Sequence, residues 1–586
     1  MAARAPYILL DDQLTHDQRF YEGPIKVITA LIPEETPSAL AALSDYHKQG
    51  FYLAGYCAYE LGYCLEPRLS KRLPENRTGP LLQFGVFKSV SDEAPTDMLY
   101  SAQAPKLERK ADWSFAQYKA RFERVMAYLQ AGDAYQINLT FPMLGAYAGS
   151  AASLYAGFRL RQKGRYGGII SLGDGPEIIS LSPELFYRKD GRKMSMRPMK
   201  GTRPRAKDAR GDAESLAEMR GDIKSRAENL MIVDLLRNDL SRISEVGSVD
   251  VPELFALETY PTLHQMTSRV TSTLSDGAGF GDILKALFPC GSVTGAPKIR
   301  AMEIIDELEQ APRNAYCGAM GYIDPTGHAC FNVAIRTLSL ARGRAVYPVG
   351  SGLVLDSEAK DEYAECILKA DVLAPRPSQI IETFGWQPEQ GFINLDEHTA
   401  RMQKAAKAIG YGFNARAFER ALEGLSPTKT AQRIRVALSQ DGTFKLEASP
   451  LKPISKMRLA ISRHVLDSEV QNFAHKISRR DFYDGERERL AHICGADEVL
   501  FLNDKSQLCE GSFTSLFIES VKGAPLLTPA LSCGLLPGIL RAKLLSSGKA
   551  QEAEFGLESL KDAKAIYVGN SLRGLMKAEL ISSKPL

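Results

Sequence analysis

Two lysines stand in sequence settings suited to chemistry on a small molecule, and Lys200 is the first of them. It lies in a Pro-Met-Lys-Gly-Thr string whose proline and glycine favour an extended turn, and Glu184 precedes it. A nucleophilic lysine must lose its proton near neutral pH, which requires burial or a neighbouring cation to lower its pKa. A carboxyl group kept protonated in a pocket of low polarity could donate to a leaving hydroxyl. An ion pair between Lys200 and Glu184 at a domain surface is the alternative.

The second lysine is Lys476, which follows a histidine and precedes a Ser-Arg-Arg string. A lysine that forms a Schiff base with pyridoxal phosphate needs an acidic partner for the pyridinium nitrogen, a cup of N–H groups and an arginine for the phosphate. Glu510 could be the acid and Arg401 the arginine. A predicted helix that opens near Ile539 and Leu540 could supply the N–H groups. A basic surface cluster around Lys476 is the alternative.

Two further carboxylates, Glu228 and Glu365, suggest a metal site. With no paired Cys or His ligands nearby, an oxygen-only site favours Mg²⁺, which binds through one or two carboxylates and keeps several waters. Other interpretations of the spacing remain open. Ser225 and Glu228 have the spacing of a capping box, and Glu365 could pair with Lys369 one helical turn later.

Glycine-rich strings and one arginine are candidates for binding anions. Gly350, Ser351 and Gly352 are predicted to form a turn at a strand end, and residues 291–298 form another before a predicted helix. Exposed N–H groups in such turns could hold a carboxylate or a phosphate. The second string lacks the spacing of a phosphate loop, so nucleotide binding is not expected there. Arg336 is predicted to lie in an otherwise apolar strand, where it would need an anionic partner.

Composition sets the class of protein. At 586 residues the chain needs two to four domains, and its 44% hydrophobic and 24% charged residues are those of an ordinary globular protein. Lys plus Arg (73) nearly balances Asp plus Glu (70), which gives no reason to expect a nucleic-acid surface. No apolar run suggests a membrane span or a secretion signal. Nine scattered cysteines without a CxxC pair indicate reduced thiols in a cytoplasmic enzyme.

The element pattern predicts an α/β (α+β) chain with two domains. Residues 1–372 alternate strand-like apolar runs with amphipathic helical stretches, for example 115–130 and 227–243. Residues 373–378 form a short linker with two prolines. Residues 379–586 are long enough for an independent second domain.

Most of the first domain resembles the chorismate-utilising enzymes. The resemblance is carried by strings in family order at residues 55–63, 134–140, 182–184, 198–202, 228–239, 257–264, 292–298 and 349–352. It implies a two-layered β-sheet sandwich flanked by helices. Two positions discriminate within the family: anthranilate synthases usually carry alanine where Lys200 stands, and isochorismate and salicylate synthases carry a water-activating lysine where Gln136 stands. The resemblance therefore implies amination of chorismate to 4-amino-4-deoxychorismate.

The family resemblance also implies a role for each candidate residue. Mg²⁺ on Glu228 and Glu365 would fix the ring carboxylate of chorismate. Lys200 would attack C2 while Glu184 protonates the departing C4 hydroxyl, and ammonia would then attack C4 and expel the lysine. Because no glutaminase signature is present, ammonia would be free or come from a separate glutaminase subunit. His264 is a lone histidine, and without its motif a core residue would be the favoured interpretation. Positions that line the family's substrate pocket correspond here to His264, Thr294, Arg336, Gly350, Ser351, Gly352 and Lys369.

The second domain resembles the fold-type IV pyridoxal-phosphate enzymes. The matching strings lie at residues 382–384, 395–402, 475–476, 497–503, 510–512, 534–539 and 570–574. The resemblance implies that Lys476, Glu510, Arg401, Ile539 and Leu540 bind the cofactor. Ser515 replaces the usual asparagine and Leu540 a Thr or Met, but backbone donors survive both changes.

Fusion to an amination domain favours an aminodeoxychorismate lyase that releases pyruvate and 4-aminobenzoate. The alternatives are an amino-acid aminotransferase and an inactive docking domain for a glutaminase. Arg433 and Arg435 could bind substrate carboxylates, but ordinary strand-surface arginines are expected. A homodimer through the second domain follows by analogy alone.

Overall fold

The structure is a computed structural model, and the chain divides into two compact units, Met1–Pro375 and Arg376–Leu586. Of the linker predicted at 373–378, only Leu373 is described, and it ends a 3-10 helix; residues 374–378 lie outside the described residues. None of the helices in the described part of the chain is long and apolar enough to cross a membrane. The structure describes residues 6–99, 106–107, 109–159, 161–162, 164–206, 209–259, 263–373, 379–425, 429–454, 456–466, 475–478, 480–582 and 584–586.

Two large antiparallel sheets form the first unit. In hydrogen-bonding order, the strands of the first sheet are Gly295–Ala296, Gln136–Ala148, Arg344–Leu353, Thr337–Ala341, Glu177–Ser182, Tyr166–Ser171, Tyr7–Asp12 and Asp17–Glu22, and Lys106–Leu107 and Lys110–Ala111 also pair with Gln136–Ala148. Those of the second sheet are Met199–Pro204, Leu263–Thr273, Lys193–Arg197, Leu185–Asp190, Ala329–Val333, Ala319–Ile323, Tyr52–Cys57, Leu82–Phe87 and Lys26–Ala30, and Asp250–Thr259 also pairs with Leu263–Thr273.

Alternation of apolar side chains along the strands holds the two sheets together, since successive residues point to opposite faces. Ile8 and Ile170 of the first sheet share a buried cluster with Met320 of the second. Their neighbours Leu9 and Ile169 belong to another cluster, which includes residues of the helices that cover the outer face. The predicted sandwich flanked by helices is confirmed.

Helices cover both outer faces of the sandwich. Those packed on the first sheet are Thr96–Leu99, Phe115–Gln130, Ala151–Arg159, Lys298–Leu308 and Ala359–Lys369. Those packed on the second sheet are Thr36–Lys48, Leu61–Leu65, Ile223–Ser241 and Phe280–Leu287, and Ala209–Gly221 immediately precedes the third of these.

Two smaller sheets form the second unit. The four-stranded sheet, Gly391–Phe392, Ile380–Gln387, Gln432–Leu438 and Phe444–Pro450, shares a core with helices Leu395–Ile409 and Ala415–Glu423. The eight-stranded sheet mixes parallel and antiparallel pairs in the order Leu508–Gly511, Glu498–Asn503, Lys456–Leu466, Gly574–Leu580, Ala565–Asn570, Ser515–Glu519, Leu526–Pro529 and Ala550–Ala553. Its helices are Asp481–Cys494, Ile539–Ser546 and Glu558–Asp562.

Candidate active sites

Lys200 lies on the strand Met199–Pro204 at one end of the second sheet. Gly201 has a φ of +69°, and the pairing with the neighbouring strand shifts register between Lys200 and Thr202. Such a bulge re-aims the side chains beside it. The Lys200 Nζ atom lies 3.4 Å from Glu228 Oε2, and both side chains are 17% exposed. The ion-pair partner of Lys200 is therefore Glu228 rather than Glu184.

Glu228 lies in the helix Ile223–Ser241, which begins after the N-cap residue Asp222. The Asp222 side chain accepts a hydrogen bond from the backbone N–H of Ser225 at 3.2 Å. Because Asp222 rather than Ser225 caps the helix, the capping-box alternative for Glu228 is wrong. Its carboxylate faces Lys200 instead.

Glu184 lies where the chain passes from the strand Glu177–Ser182 of the first sheet to Leu185–Asp190 of the second. Its side chain is 4% exposed. Burial raises the pKa of the Glu184 carboxyl to about 7, although a hydrogen bond with Ser292 and the charge of Lys200 lower it. Within the described structure its Oε1 atom has no hydrogen-bond partner. A carboxyl group with this pKa is protonated in a large share of molecules at neutral pH and can act as an acid.

Gln136 shares the space around Lys200. It is fully buried, and its amide oxygen and nitrogen both lack a hydrogen-bond partner among the described residues. A Cβ atom placed on Gly352 would lie 2.9 Å from Gln136 Nε2 and 3.4 Å from Lys200 Nζ. Buried polar groups are rarely left unpaired. The open atoms of Gln136 and Glu184 beside Lys200 therefore fit a polar ligand.

Glu365 forms the ion pair with Lys369 that its spacing allowed, at 2.8 Å. Burial raises the pKa of Glu365, but the charges of Lys369 and Lys200 outweigh it and hold that pKa below its usual value. Glu228 and Glu365 thus both lie near Lys200. No group of three or more Asp, Glu, His or Cys side chains is placed to hold a metal within the described ranges, and two carboxylates fit the small set of protein ligands that Mg²⁺ accepts.

Arg336 was predicted within a strand, and this was wrong. It lies in the connection between Ala329–Val333 of the second sheet and Thr337–Ala341 of the first, with a φ of +52°. Its carbonyl accepts a hydrogen bond from Leu181 N at 3.1 Å. The Gln162 amide oxygen, in the orientation that satisfies both side chains, accepts from Arg336 Nε at 3.1 Å. A neutral amide leaves the charge of Arg336 available to an anion.

The predicted turn at Gly350, Ser351 and Gly352 is also wrong, because all three lie inside the strand Arg344–Leu353. They pair with the antiparallel strand Gln136–Ala148. The Gly350 carbonyl accepts a hydrogen bond from Lys369 Nζ at 2.7 Å.

His264 and Thr294 are both fully buried and hydrogen-bonded inside the protein. His264 Nδ1 lies 3.0 Å from Thr259 Oγ1, and its Nε2 lies 2.9 Å from Asp212 Oδ1. Thr294 Oγ1 donates within its own loop to the Cys290 carbonyl at 3.2 Å. In this conformation the geometry of His264 matches the core alternative.

Lys476 is joined to the strand Ile380–Gln387 by backbone hydrogen bonds. Ile381 N donates to the Lys476 carbonyl at 2.8 Å. Burial lowers the pKa of Lys476 to about 7; Glu382 raises it, and Arg401 and the other nearby arginines lower it further. A large share of these amines is therefore uncharged at neutral pH, which is the state needed for attack on a carbonyl.

Glu382 holds Arg401 and His398 in place near Lys476 through hydrogen bonds. It accepts two hydrogen bonds from Arg401, each at 2.7 Å, and one from His398 Nδ1 at 2.6 Å. Burial raises the pKa of Glu382, but these bonds outweigh it and hold the pKa at about 2. Arg401 also donates to the Pro537 carbonyl at 3.0 Å. It therefore lies at the cavity in a fixed orientation.

Glu510 is 9% exposed and lines the same cavity as Lys476. It accepts hydrogen bonds from the Tyr483 hydroxyl at 2.8 Å and from Leu536 N at 3.1 Å. Burial raises its pKa to about 7, although the Tyr483 bond and the charge of Arg480 lower it. A carboxyl group buried opposite an amine suits the ring nitrogen of a pyridine cofactor.

The helix Ile539–Ser546 begins at this cavity, and its N-cap residue is Gly538. A Cβ atom on Gly538 would meet Ser515 Oγ at 2.6 Å, so a larger residue there would displace the Ser515 hydroxyl. Ile539 and Leu540 also line the cavity, whose volume is about 320 Å³. Helix N-terminal N–H groups suit a phosphate. The donor set therefore fits pyridoxal phosphate.

Arg433 and Arg435 were expected to be ordinary strand-surface arginines, with the binding of substrate carboxylates as the alternative. Both are half-buried and line the cavity of Lys476. No role was predicted from the sequence for Ser292 or Tyr483. Arg573 was matched only as part of the string at residues 570–574. Ser292 stands within a string that was recognised only as a glycine-rich turn, whereas no local pattern marks Tyr483.

Comparison with known proteins identifies the class of each unit. Residues 5–375 match the chorismate binding enzyme family, and residues 379–581 match the amino-transferase class IV family. The chain therefore belongs to the chorismate binding enzyme family, and it carries a class IV aminotransferase domain after the chorismate-binding domain.

Relatives of the first unit are named as aminodeoxychorismate and anthranilate synthase components. The chain is 42% identical over 255 residues to aminodeoxychorismate synthase component 1 of Escherichia coli K12, which is 44% of this chain and 56% of that protein. The chain thus spans little more than half the length of that relative. It is 35% identical to anthranilate synthase component 1 of Methanothermobacter thermautotrophicus over 58% of this chain and 68% of that protein. Anthranilate synthase component I of Streptococcus pneumoniae has a similar structure, with a TM-score of 0.53 and 25% identity over 63% of this chain and 92% of that one.

Proposed function

We propose that this chain makes 4-aminobenzoate in two reactions. The first converts chorismate and ammonia to 4-amino-4-deoxychorismate in the first unit. The second releases pyruvate from that product in the second unit. The observation that carries the proposal is Lys200. Its amine lies near the acid Glu184 and beside the amide of Gln136, which has no hydrogen-bond partner among the described residues.

In the first reaction, the Lys200 amine bonds to ring carbon C2 of chorismate. The two ring double bonds shift, and the C4 hydroxyl leaves as water with a proton from Glu184. Ammonia then bonds to C4, the double bonds shift back and the Lys200 amine departs from C2. The raised pKa of Glu184 supports its role as the acid. The neutral amide of Gln136 supports amination, because it cannot activate water as a base.

Glu228 and Glu365 would hold Mg²⁺, which supplies positive charge opposite the ring carboxylate. Arg336 is our candidate for the enolpyruvyl carboxylate, since Gln162 leaves its charge unbalanced. Lys369 would lie beside the metal carboxylates. We retain Gly350, Ser351 and Gly352 as a pocket wall and Thr294 and His264 as supports behind it.

In the second reaction, pyridoxal phosphate would supply an electron sink for the carbon next to the substrate amine. Lys476 and Glu510 would hold its aldehyde and ring-nitrogen ends, and the helix N-terminus at Ile539 and Leu540, with Arg401, would hold its phosphate. Lys476 then takes the proton from ring carbon C4. The C3–oxygen bond breaks, the ring becomes aromatic, and a proton from Lys476 completes pyruvate.

The partners follow from the chemistry. We propose that a separate glutaminase subunit supplies ammonia, as the name component 1 of the Escherichia coli relative suggests. All nine cysteines are free thiols, which supports a cytoplasmic location. A homodimer through the second unit remains a proposal by analogy with its family.

The test is a complete assay with chorismate, ammonium, Mg²⁺ and pyridoxal phosphate, in which the intermediate and the products are quantified together. We expect 4-aminobenzoate and pyruvate in equal amounts. Accumulation of 4-amino-4-deoxychorismate would contradict the lyase and favour the aminotransferase alternative. Absence of an aminated product would contradict the first reaction. The amine of Lys476, whose pKa is about 7, argues against an inactive docking domain.

A further inference from the structure

The cavity of the second unit holds more positive charge than a phosphate requires. Among the described residues, seven Lys and Arg side chains line it, against two acidic ones, Asp484 and Glu510. Besides Lys476, four of the cations face described partners. Arg401 donates to Glu382, and Arg435 lies 3.8 Å from Glu447. Arg480 donates to the Ser512 carbonyl, and Arg487 pairs with Asp484.

Arg433 is one of the two remaining cations. It lies on the strand Gln432–Leu438, where even-numbered neighbours such as Ile434 enter the core and odd-numbered residues face the cavity. Gly385 pairs opposite it and presents no side chain, and a Cβ atom there would lie 3.5 Å from Ile393 and 3.6 Å from Leu572, a lining residue of the cavity. Among the described residues the Arg433 guanidinium has no side-chain hydrogen bond or ion pair within 4.0 Å, although its charge, after those of Lys445 and Arg435, lowers the pKa of Glu447.

Arg573 is the other, and it lies in a turn fixed by Asn570. The Asn570 side chain accepts hydrogen bonds from Leu572 N at 3.1 Å and from Arg573 N at 3.0 Å. The Nε atom of Arg573 is buried without a partner within the described structure. Burial lowers the pKa of Arg573, and the charge of Arg433 lowers it further. Two guanidinium groups are thus held close enough to repel each other.

We propose that Arg433 and Arg573 are specificity-determining residues that recognise a substrate with two carboxylates. One carboxylate would neutralise only one of the two guanidinium groups, whereas a dicarboxylate neutralises both. Guanidinium groups bind carboxylates through paired hydrogen bonds. The inference rests on the proposed function and deepens it, because 4-amino-4-deoxychorismate carries a ring carboxylate and an enolpyruvyl carboxylate.

The test compares two unreactive rings, isophthalate with two carboxylates and benzoate with one, as inhibitors of 4-aminobenzoate formation from supplied 4-amino-4-deoxychorismate. In the full-length holoenzyme we expect isophthalate to inhibit at least about tenfold more strongly, the value of one charge-assisted hydrogen bond. In Arg433→Gln and in Arg573→Gln the ratio should fall toward one, and KM should rise about tenfold or more with a smaller change in kcat. Arg416→Gln, at an exposed position of the same unit, is the matched control and should change neither.

The visible absorbance of the bound cofactor reports folding in each variant, and Arg433→Lys and Arg573→Lys keep the charge if the glutamine variants lose the cofactor. These lysine variants should retain part of the preference for isophthalate. Equal inhibition by the two rings in the wild-type protein, with 4-aminobenzoate still formed, would overturn the inference and leave the lyase standing. If no 4-aminobenzoate forms, the same pair of rings is titrated against the cofactor absorbance. A preference for isophthalate there would support the inference and remove the lyase.

Discussion

The two lysine sites of this chain place the same functional group in different electrostatic surroundings. Lys200 faces a carboxylate, Glu228, at 3.4 Å, and its second neighbour, Glu184, is a buried acid. Burial lowers the pKa of Lys476 to about 7, with Glu382 raising it and the nearby arginines lowering it further. The first site holds its amine in an ion pair that must open before attack, whereas the second keeps a large share of its amine uncharged at rest. Nucleophilic lysines can therefore be prepared by different means on one chain.

Replacing Lys476 should have the largest effect. Lys476→Ala should remove the cofactor absorbance near 410–420 nm and lower 4-aminobenzoate formation by about a thousandfold or more, since both cofactor attachment and proton transfer are lost. The first reaction should continue, so 4-amino-4-deoxychorismate accumulates in the complete assay. Lys505→Ala, at an exposed position, is the control. Equal loss of both reactions would show that the two sites are not independent.

Replacing Lys200 should reverse this pattern. Lys200→Ala should lower 4-amino-4-deoxychorismate formation by about a hundredfold or more, because no amine can bond to C2. Ammonia then has access to C2 directly, so any residual product should be aminated there, as product analysis by mass spectrometry and NMR would show. The cofactor absorbance should not change. Lys193→Ala, exposed and on the strand Lys193–Arg197 that precedes Met199–Pro204 in the sequence, is the control. Formation of the C4 product at the wild-type rate would make a nucleophilic Lys200 untenable.

Glu184 tests the acid of the first site. Glu184→Gln should lower kcat of the first reaction by about a hundredfold, within the usual range for a positioned acid. In the wild-type protein kcat should fall as pH rises above 7, because the raised pKa of Glu184 keeps the carboxyl protonated only below that value. The variant should lose this limb of the pH profile. A limb that persists in Glu184→Gln would assign it to another group.

Glu228 tests whether the carboxylate beside Lys200 also binds the metal. Glu228→Gln should raise the Mg²⁺ concentration for half-maximal first-reaction rate by about tenfold or more, since one of two carboxylate ligands is lost. Glu218→Gln, with an exposed carboxylate on the preceding helix, is the control. An unchanged Mg²⁺ requirement would reduce Glu228 to a structural partner of Lys200.

The pH dependence of cofactor uptake gives the smallest effect. Below pH 7 the rate at which cofactor-free protein takes up pyridoxal phosphate should fall toward tenfold per pH unit, since the ammonium form of Lys476 replaces the free amine. Above pH 8 the rate should level off. Stopped-flow absorbance measures it directly. A rate that still rises tenfold per unit above pH 9 would indicate a lysine with an ordinary pKa.

Local sequence patterns could predict individual helices and strands, but not the contacts between residues that lie far apart in the sequence. The helix Phe115–Gln130 was predicted with both ends from its regular apolar spacing, and the structure adds a capping box formed by Ser114 and Gln117. Arg336 could not be placed, because its left-handed backbone depends on the crossing between the two sheets. Arg433 and Arg573 are far apart in sequence, and the turn that brings Arg573 to the cavity gives no charge pattern. Glu228 was matched to its motif, but its pairing with Lys200 depends on how a helix packs on a sheet.

The crossings between the two sheets of the first unit have a mechanical consequence. The segments that carry Glu184 and Arg336 run side by side and exchange backbone hydrogen bonds, from Val333 N to the Glu184 carbonyl at 3.0 Å and from Leu181 N to the Arg336 carbonyl at 3.1 Å. If one sheet shifts relative to the other, these hydrogen bonds make the two connecting segments move together. The distance between the Glu184 carboxyl and the Arg336 guanidinium would then change less than distances elsewhere between the two sheets.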